Sequence, residues 1–233
     1  MTRAVMWKKT DQWTWRELLV LLTLEFVFVI FVIKYPIQSR YEEWLDNTLY
    51  SGTLTGLTIA ITLLTVLYLV ALRPKKLSWR EVGLKGFPVR DWWRIVLWLL
   101  LLIILSVMAV YLTSFLGNTV DNSKTESLQQ HVTLFTIVIG IVSAGFVSPL
   151  YEEIFYRGFI YRWLRTRIRM KWAIVVSALI FTLAHFPTIN AMPVNFISGV
   201  VFAWAYERTG SVVPGMIVHG AFNTIAVVLT AMS

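Results

Sequence analysis

Ionisable side chains interrupt the apolar stretches of the C-terminal half of the chain. They are Glu152, Glu153, Arg157, His185 and His219. A charged residue at the centre of a membrane helix costs at least about 2.5–3.5 kcal/mol, so a cluster of them requires a compensating role. Carboxylates and imidazoles can move protons to and from water, so the residue types favour hydrolysis by general acid and base.

The spacing of these residues separates them into groups. Glu153 and Arg157 are four positions apart with the acid first, the orientation that favours a helical ion pair, and we interpret this pair as structural. Glu152 is rotated by about 100° from Glu153 around the helix, which leaves it free for chemistry. His219 and Asn223 are also four apart and therefore share one helix face.

The depths of the groups are predicted from the turns between helices. Glu152 and His185 each lie about 16 residues from the Arg-rich turn Arg167–Met170, at most about 24 Å along antiparallel helices. His219 lies only about 13 Å from its own turn, so its depth matches Glu152 imperfectly. We expect a buried site that is reached from the side of the Arg-rich turn.

These residues resemble the motifs of the CAAX protease and bacteriocin-processing family, which includes the CAAX prenyl endopeptidases. The family's three motifs are E-E-x-x-x-R, F-x-x-x-H and H-x-x-x-N. They fall, in order and without substitution, on Glu152, Glu153 and Arg157, then on Phe181 and His185, then on His219 and Asn223. The resemblance covers roughly residues 133–231.

The resemblance implies an intramembrane endopeptidase that needs no cofactor. Glu152 would be the catalytic glutamate and His185 its partner in activating water, while His219 and Asn223 would stabilise the oxyanion. Donors aimed at such a charge are worth about 10²–10³ in rate each, which supports this division of roles. The supporting residues would be Glu153, Arg157 and Phe181.

Three alternatives stay open on the sequence. Glu152, His185 and His219 are a plausible set of catalytic zinc ligands, although no H-E-x-x-H motif is present. The same cavity could bind a peptide without cleaving it, as in a bacteriocin immunity or adaptor protein. Buried acids and histidines also relay protons in transporters, but paired broken helices are not visible. The substrate, a prenylated C-terminal peptide or another membrane-associated peptide, is not determined.

The elements that hold these residues are predicted to be membrane helices. Hydrophobic residues make up 57% of the 233 and charged residues 15%, and they form runs near the roughly 20 residues that span a bilayer. We predict an all-α bundle of seven or eight membrane helices. The number depends on the long run after Val132, which must kink, leave the membrane or divide at Pro149. The other runs are Leu18–Ile33, Tyr50–Leu72, Trp92–Leu116, Trp172–Phe186, Pro193–Tyr206 and Val212–Ala231.

The net charge of +8 is distributed over short connections rather than over one soluble face, which argues against a nucleic-acid partner. The basic linkers Arg73–Asp91 and Arg162–Lys171 are predicted to be cytoplasmic by the positive-inside rule, as is the N-terminus. The first linker is predicted to lie on the membrane surface. The chain is thus expected in the cell membrane, with lipid as a partner. Cysteine is absent, which excludes thiolate zinc sites and a cysteine nucleophile.

The chain divides into two parts by character. Residues 1–131 hold three long apolar runs and are predicted to be a scaffold, with Glu25 as the one ionisable residue deep in a run. Residues 132–233 hold the motifs and are predicted to be the catalytic part.

Overall fold

A computed structural model describes residues 3–115, 132–186 and 188–232. Every regular element in these ranges is helical. With adjoining α, 3₁₀ and π turns counted as one helix, the elements are α1 (Arg3–Thr10), α2 (Trp15–Leu45), α3 (Thr48–Lys75), α4 (Val89–Ser114), α5 (Leu134–Arg165), α6 (Met170–Leu183), α7 (Ile189–Thr209) and α8 (Val213–Met232).

Most of these helices have membrane character. Six of them, α2 to α5 with α7 and α8, are long and apolar enough to cross a membrane, and α6 is a shorter apolar helix. Their outward side chains are large and apolar, as hydrocarbon requires. The described ranges therefore confirm a polytopic helical bundle, with seven apolar helices rather than eight.

Helix α5 does not divide at Pro149. It changes from α to π hydrogen bonding over Ile141–Val147, returns to α over Ser148–Glu152 and is again π over Glu153–Tyr161. Proline lacks an N–H and crowds the preceding turn, and the widened turn just before Pro149 accommodates it without a break. The E-E-x-x-x-R motif thus stands on one continuous helix.

The basic segments gather at one end of the bundle, which we call the basic end: α1, the α3–α4 linker, the α5–α6 turn and the α7–α8 turn. Ion pairs connect them, with Arg167 2.9 Å from Asp11 and Arg165 3.2 Å from Glu207. Arg162 pairs with Glu81 of the linker. The α2–α3 and α6–α7 turns lie at the opposite end.

The α3–α4 linker is packed into the basic end, and its position relative to the membrane surface stays a prediction. Val82 is fully buried, and a Cβ on Gly158 of α5 would come within 2.3 Å of its carbonyl oxygen. Gly83 adopts a positive φ of 80° against the ring of Tyr206. The backbone N–H of Val212 donates to the carbonyl of Gly83 at 2.9 Å.

One cluster of buried side chains includes residues from both parts of the chain. Trp7 of α1 stacks on Tyr206 of α7 with ring centroids 5.0 Å apart. The same cluster contains Leu63 of α3 and Phe155 of α5. Helices α2 and α3 are therefore positioned directly against α5, which carries the motif glutamates.

Candidate active site

Glu153 lies in the core between α5 and α8. Its side chain is fully buried, and its Oε1 atom is 3.0 Å from Nη1 of Arg157, so the two form the ion pair that their spacing predicts. The same oxygen is 3.2 Å from Nδ1 of His219. Gly215 of α8 makes this approach possible, because a Cβ there would lie 2.8 Å from the other Glu153 oxygen.

Aromatic rings enclose the cation of this pair. The Arg157 guanidinium lies 4.2 Å from the ring centroid of Phe181 and 5.0 Å from that of Phe202. A desolvated cation over an aromatic face gains about 2 kcal/mol or more. Phe181 also contacts the His185 ring, with centroids 4.6 Å apart. The motif phenylalanine thus links the buried ion pair to the motif histidine of α6.

Glu152, one position earlier, has different surroundings. It is buried, and its Oε2 atom lies 3.8 Å from Nε2 of His219 and has no hydrogen-bond partner. The side chain lines a cavity of about 380 Å³, and His185 lines the same cavity. Because the Glu152 side chain lines the cavity, its carboxylate is placed to take a proton from a water molecule there.

The cavity lies between α5 and the helices α2 and α3. Its lining extends from Glu152 to Gln38, Glu42 and Thr48 around the α2–α3 turn, and to Thr188 of the α6–α7 turn. It therefore reaches toward the end of the bundle opposite the basic end. The prediction of access from the side of the Arg-rich turn is wrong, because the linker and α1 pack over that side.

His185 follows the last turn of α6. Its Nδ1 atom is 2.8 Å from the carbonyl oxygen of Phe181, and because a carbonyl only accepts, Nδ1 carries the hydrogen. In the neutral ring Nε2 is then an acceptor. The side chain is half-buried, which suits a residue that orients a water molecule.

His219 lies between the two glutamates, so the depth mismatch expected from the turns does not arise. Its ring stacks on Phe202 with centroids 4.6 Å apart. The face that it shares with Asn223 packs on α5, where the Asn223 amide donates to the carbonyl of Ala144 at 2.8 Å. Neither residue is among those that line the cavity, and their oxyanion role stays a prediction.

The described ranges contain no group of three His, Cys, Asp or Glu side chains arranged to hold a metal ion. Glu152 and His219 approach each other to 3.8 Å. His185, just after the end of α6, lines the same cavity as Glu152. Independence of a metal cofactor stays a prediction.

Two residues that the motifs do not include belong to the same cavity. Glu25 of α2 is buried and accepts a hydrogen bond from the hydroxyl of Tyr156 at 2.8 Å. Both side chains line the cavity with Glu152. The sequence analysis placed Glu25 in a scaffold, although the cost of burying an acid in a membrane run was already a signal.

Comparisons with known proteins agree with the family resemblance that the motifs indicate. Residues 133–225 match the family model described as Type II CAAX prenyl endopeptidase Rce1-like. The membrane-embedded CAAX protease MroQ of Staphylococcus aureus (strain USA300) is 27% identical over 228 residues, which cover 94% of this chain and 90% of that protein. No solved structure matches the chain. The motif-bearing part of the chain is thus similar to the Rce1-like CAAX prenyl endopeptidases, as the motifs indicate, and the protein is a multi-pass membrane peptidase.

Proposed function

We propose that this protein is an intramembrane endopeptidase that cleaves a membrane-associated peptide with water activated by Glu152 and His185. The observation that carries the proposal is the difference between two adjacent carboxylates. Glu153 pairs with Arg157 and is not among the residues that line the cavity, whereas Glu152 lines the cavity together with His185.

The proposed reaction begins with a water molecule held between Glu152 and His185. Glu152 takes a proton from the water while the oxygen attacks the carbonyl carbon of the peptide bond. The C–N bond of the resulting tetrahedral intermediate then breaks, and the proton passes from Glu152 to the departing amine. His185, fixed through Nδ1, orients the water through Nε2.

His219 and Asn223 are proposed to stabilise the negative oxygen of the intermediate. The contact from Nδ1 of His219 to Glu153 fixes the ring, so that Nε2 is the nitrogen on the side of Glu152. Because Nδ1 donates to Glu153, the proposed donation from Nε2 to the oxyanion requires His219 as the imidazolium, with a hydrogen on both nitrogens. One N–H of the Asn223 amide is used by Ala144, and the amide has a second. No metal ion is needed in this scheme, because Glu152 performs both proton transfers and His185 orients the water.

The proposed substrate is a peptide that is already at the membrane. The cavity is enclosed by membrane helices and has mainly apolar walls with polar groups among them, so it suits an extended peptide segment rather than a free soluble protein. The names of the family and of the relative point to CAAX-type peptides, and a C-terminal prenylated peptide is one candidate.

Comparative peptide analysis of membranes tests the activity and finds the substrate together. Membranes from cells with the wild-type protein are compared with membranes from cells with Glu152→Gln, matched for protein level. We expect peptides that end at a new terminus only in the wild type. Identical peptide profiles, with the purified wild type also inert toward membrane peptides, would favour a peptide-binding immunity or adaptor role.

The orientation proposed for the bundle puts the N-terminus and the basic end in the cytoplasm, because basic connections are retained on that side. The cavity then reaches toward the outer side of the membrane. The chain has no cysteine, so single cysteines introduced at Lys76 and Arg167 can be labelled specifically. A membrane-impermeant thiol reagent should label neither in intact cells and both in opened cells. Labelling of either position in intact cells would reverse the proposed orientation.

A further inference from the structure

Helix α2 contributes an acidic group to the cavity that the motifs do not include. We propose that Glu25 forms a specificity subsite that binds a basic side chain of the peptide substrate. The inference rests on the proposed peptidase function and adds a substrate preference to it.

The geometry of Glu25 is that of an incomplete binding site. The residue is only 6% exposed, and its Oε1 atom accepts the Tyr156 hydroxyl at 2.8 Å. Its Oε2 atom is buried and has no hydrogen-bond partner. Because the side chain lines the cavity, a ligand in the cavity is placed to supply the missing partner.

The location of Glu25 fits recognition rather than the chemical step. Tyr156, to which it is bonded, follows Glu152 by four positions on α5 and lines the same cavity. Glu25 is thus held at the part of the cavity beside the turn that follows the proposed catalytic carboxylate. A side chain near the scissile bond can reach it while Glu152 acts on the bond itself.

The charges around the cavity define the class of ligand. The described residues that line it include the carboxylates Glu25, Glu42 and Glu152, against the single cation Lys34. The Lys34 ammonium donates to the carbonyl of Ala184 at 2.9 Å, across the opening between α2 and α6. Lys34 acts on Glu25 through its charge without a hydrogen bond to it, so a lysine or arginine side chain of the substrate that reaches the carboxylate is its natural complement.

A purely structural role would predict something different. If Glu25 served only to hold Tyr156, one oxygen would be sufficient and a neutral glutamine would replace it. A subsite for a cation requires the negative charge, and the hydroxyl of Tyr156 would then be secondary. The two roles therefore respond differently to Glu25→Gln and to Tyr156→Phe.

Binding to a catalytically silenced protein tests the subsite independently of cleavage. The probes are N-terminally acylated peptides that differ at one position, lysine against norleucine, scanned through the positions beside the scissile bond. The full-length Glu152→Gln protein is reconstituted in neutral lipid vesicles. At one position we expect the lysine peptide to bind at least about 30-fold more tightly, as for a desolvated charge pair. Adding Glu25→Gln should remove this difference, while Glu25→Asp or Tyr156→Phe should retain it.

Equal binding of the lysine and norleucine peptides at every position overturns the subsite, as does a preference that survives Glu25→Gln. Retention in Glu25→Asp supports a folded, charge-dependent site and separates it from a folding defect. Cleavage is measured separately with the wild-type protein and the same peptides. A lysine preference in binding without any cleavage would support the subsite and count against the proposed function.

Discussion

Two adjacent faces of α5 differ in their surroundings: one lines the cavity, and the other lies in the core and holds a buried ion pair. The cavity face carries Ser148, Glu152 and Tyr156 at intervals of four residues. The core face carries Glu153 and Arg157 at the same interval, and there the acid and the base neutralise each other. Residue type is the same at the two glutamates, so a rotation of about 100° decides which one lines the cavity.

The two faces are connected by one side chain of α8. His219 approaches Glu153 through Nδ1 and Glu152 through Nε2, at 3.2 and 3.8 Å. The Glu153–Arg157 pair therefore fixes the position of His219, which is proposed to act in catalysis beside Glu152. A change on the core face should reach catalysis through His219, whereas a change at Glu152 should leave the core intact.

The largest expected effect distinguishes the two glutamates. Glu152→Gln should lower peptide cleavage by about 10²–10⁴-fold, the usual worth of a general acid–base, with no loss of thermal stability. The matched variant Glu153→Gln should lose stability as well as activity, because it leaves Arg157 buried without its partner. Cleavage assays and thermal unfolding of both purified proteins check this. Full activity of a folded Glu152→Gln protein would remove Glu152 from the chemical step.

Substitution of His185 and substitution of His219 are expected to affect different steps of the reaction. His185→Ala should remove water activation, while His219→Ala should cost about 10²–10³ in rate and leave measurable turnover.

The wild type should contain no stoichiometric zinc and should retain activity after chelation. Metal analysis and single-turnover assays test both points. One zinc per chain that is lost in each variant, with equal loss of activity, would establish the zinc alternative.

Substitutions on the core face should mainly lower the stability of the protein. Arg157→Ala should destabilise the protein by about 3–5 kcal/mol, since it leaves Glu153 as an unpaired buried charge. The double variant Glu153→Gln with Arg157→Met should recover part of that loss, because no charge then remains buried. Thermal unfolding in detergent measures both. An unchanged melting temperature with lost activity would place Arg157 in the catalytic step instead.

The smallest effect is expected on a third side of α5, where Gly158 contacts the α3–α4 linker. Gly158→Ala places a Cβ against the Val82 carbonyl and should cost about 1–3 kcal/mol, as overpacking does. Gly56→Ala in α3 is the control, because a Cβ there meets nothing within 4 Å. Equal stability of the two variants would show that the linker moves aside easily.

The sequence by itself determined the features that depend on local geometry and on the cost of burying charge. The length of the apolar runs predicted the membrane helices, since a bilayer requires about 20 residues. The spacing of four predicted the pair of Glu153 with Arg157 and set Glu152 apart from it, because helical rotation is fixed by residue number.

The tertiary structure decided what depends on how the helices pack. Only packing could show that π turns carry α5 past Pro149, and that the α3–α4 linker fills the basic end. The depth of His219 depended on where α8 meets α5, and Glu25 joined the cavity only because α2 lies beside Tyr156. Contacts between helices distant in the chain are set by their shared surface, which the periodicity of a single helix does not specify.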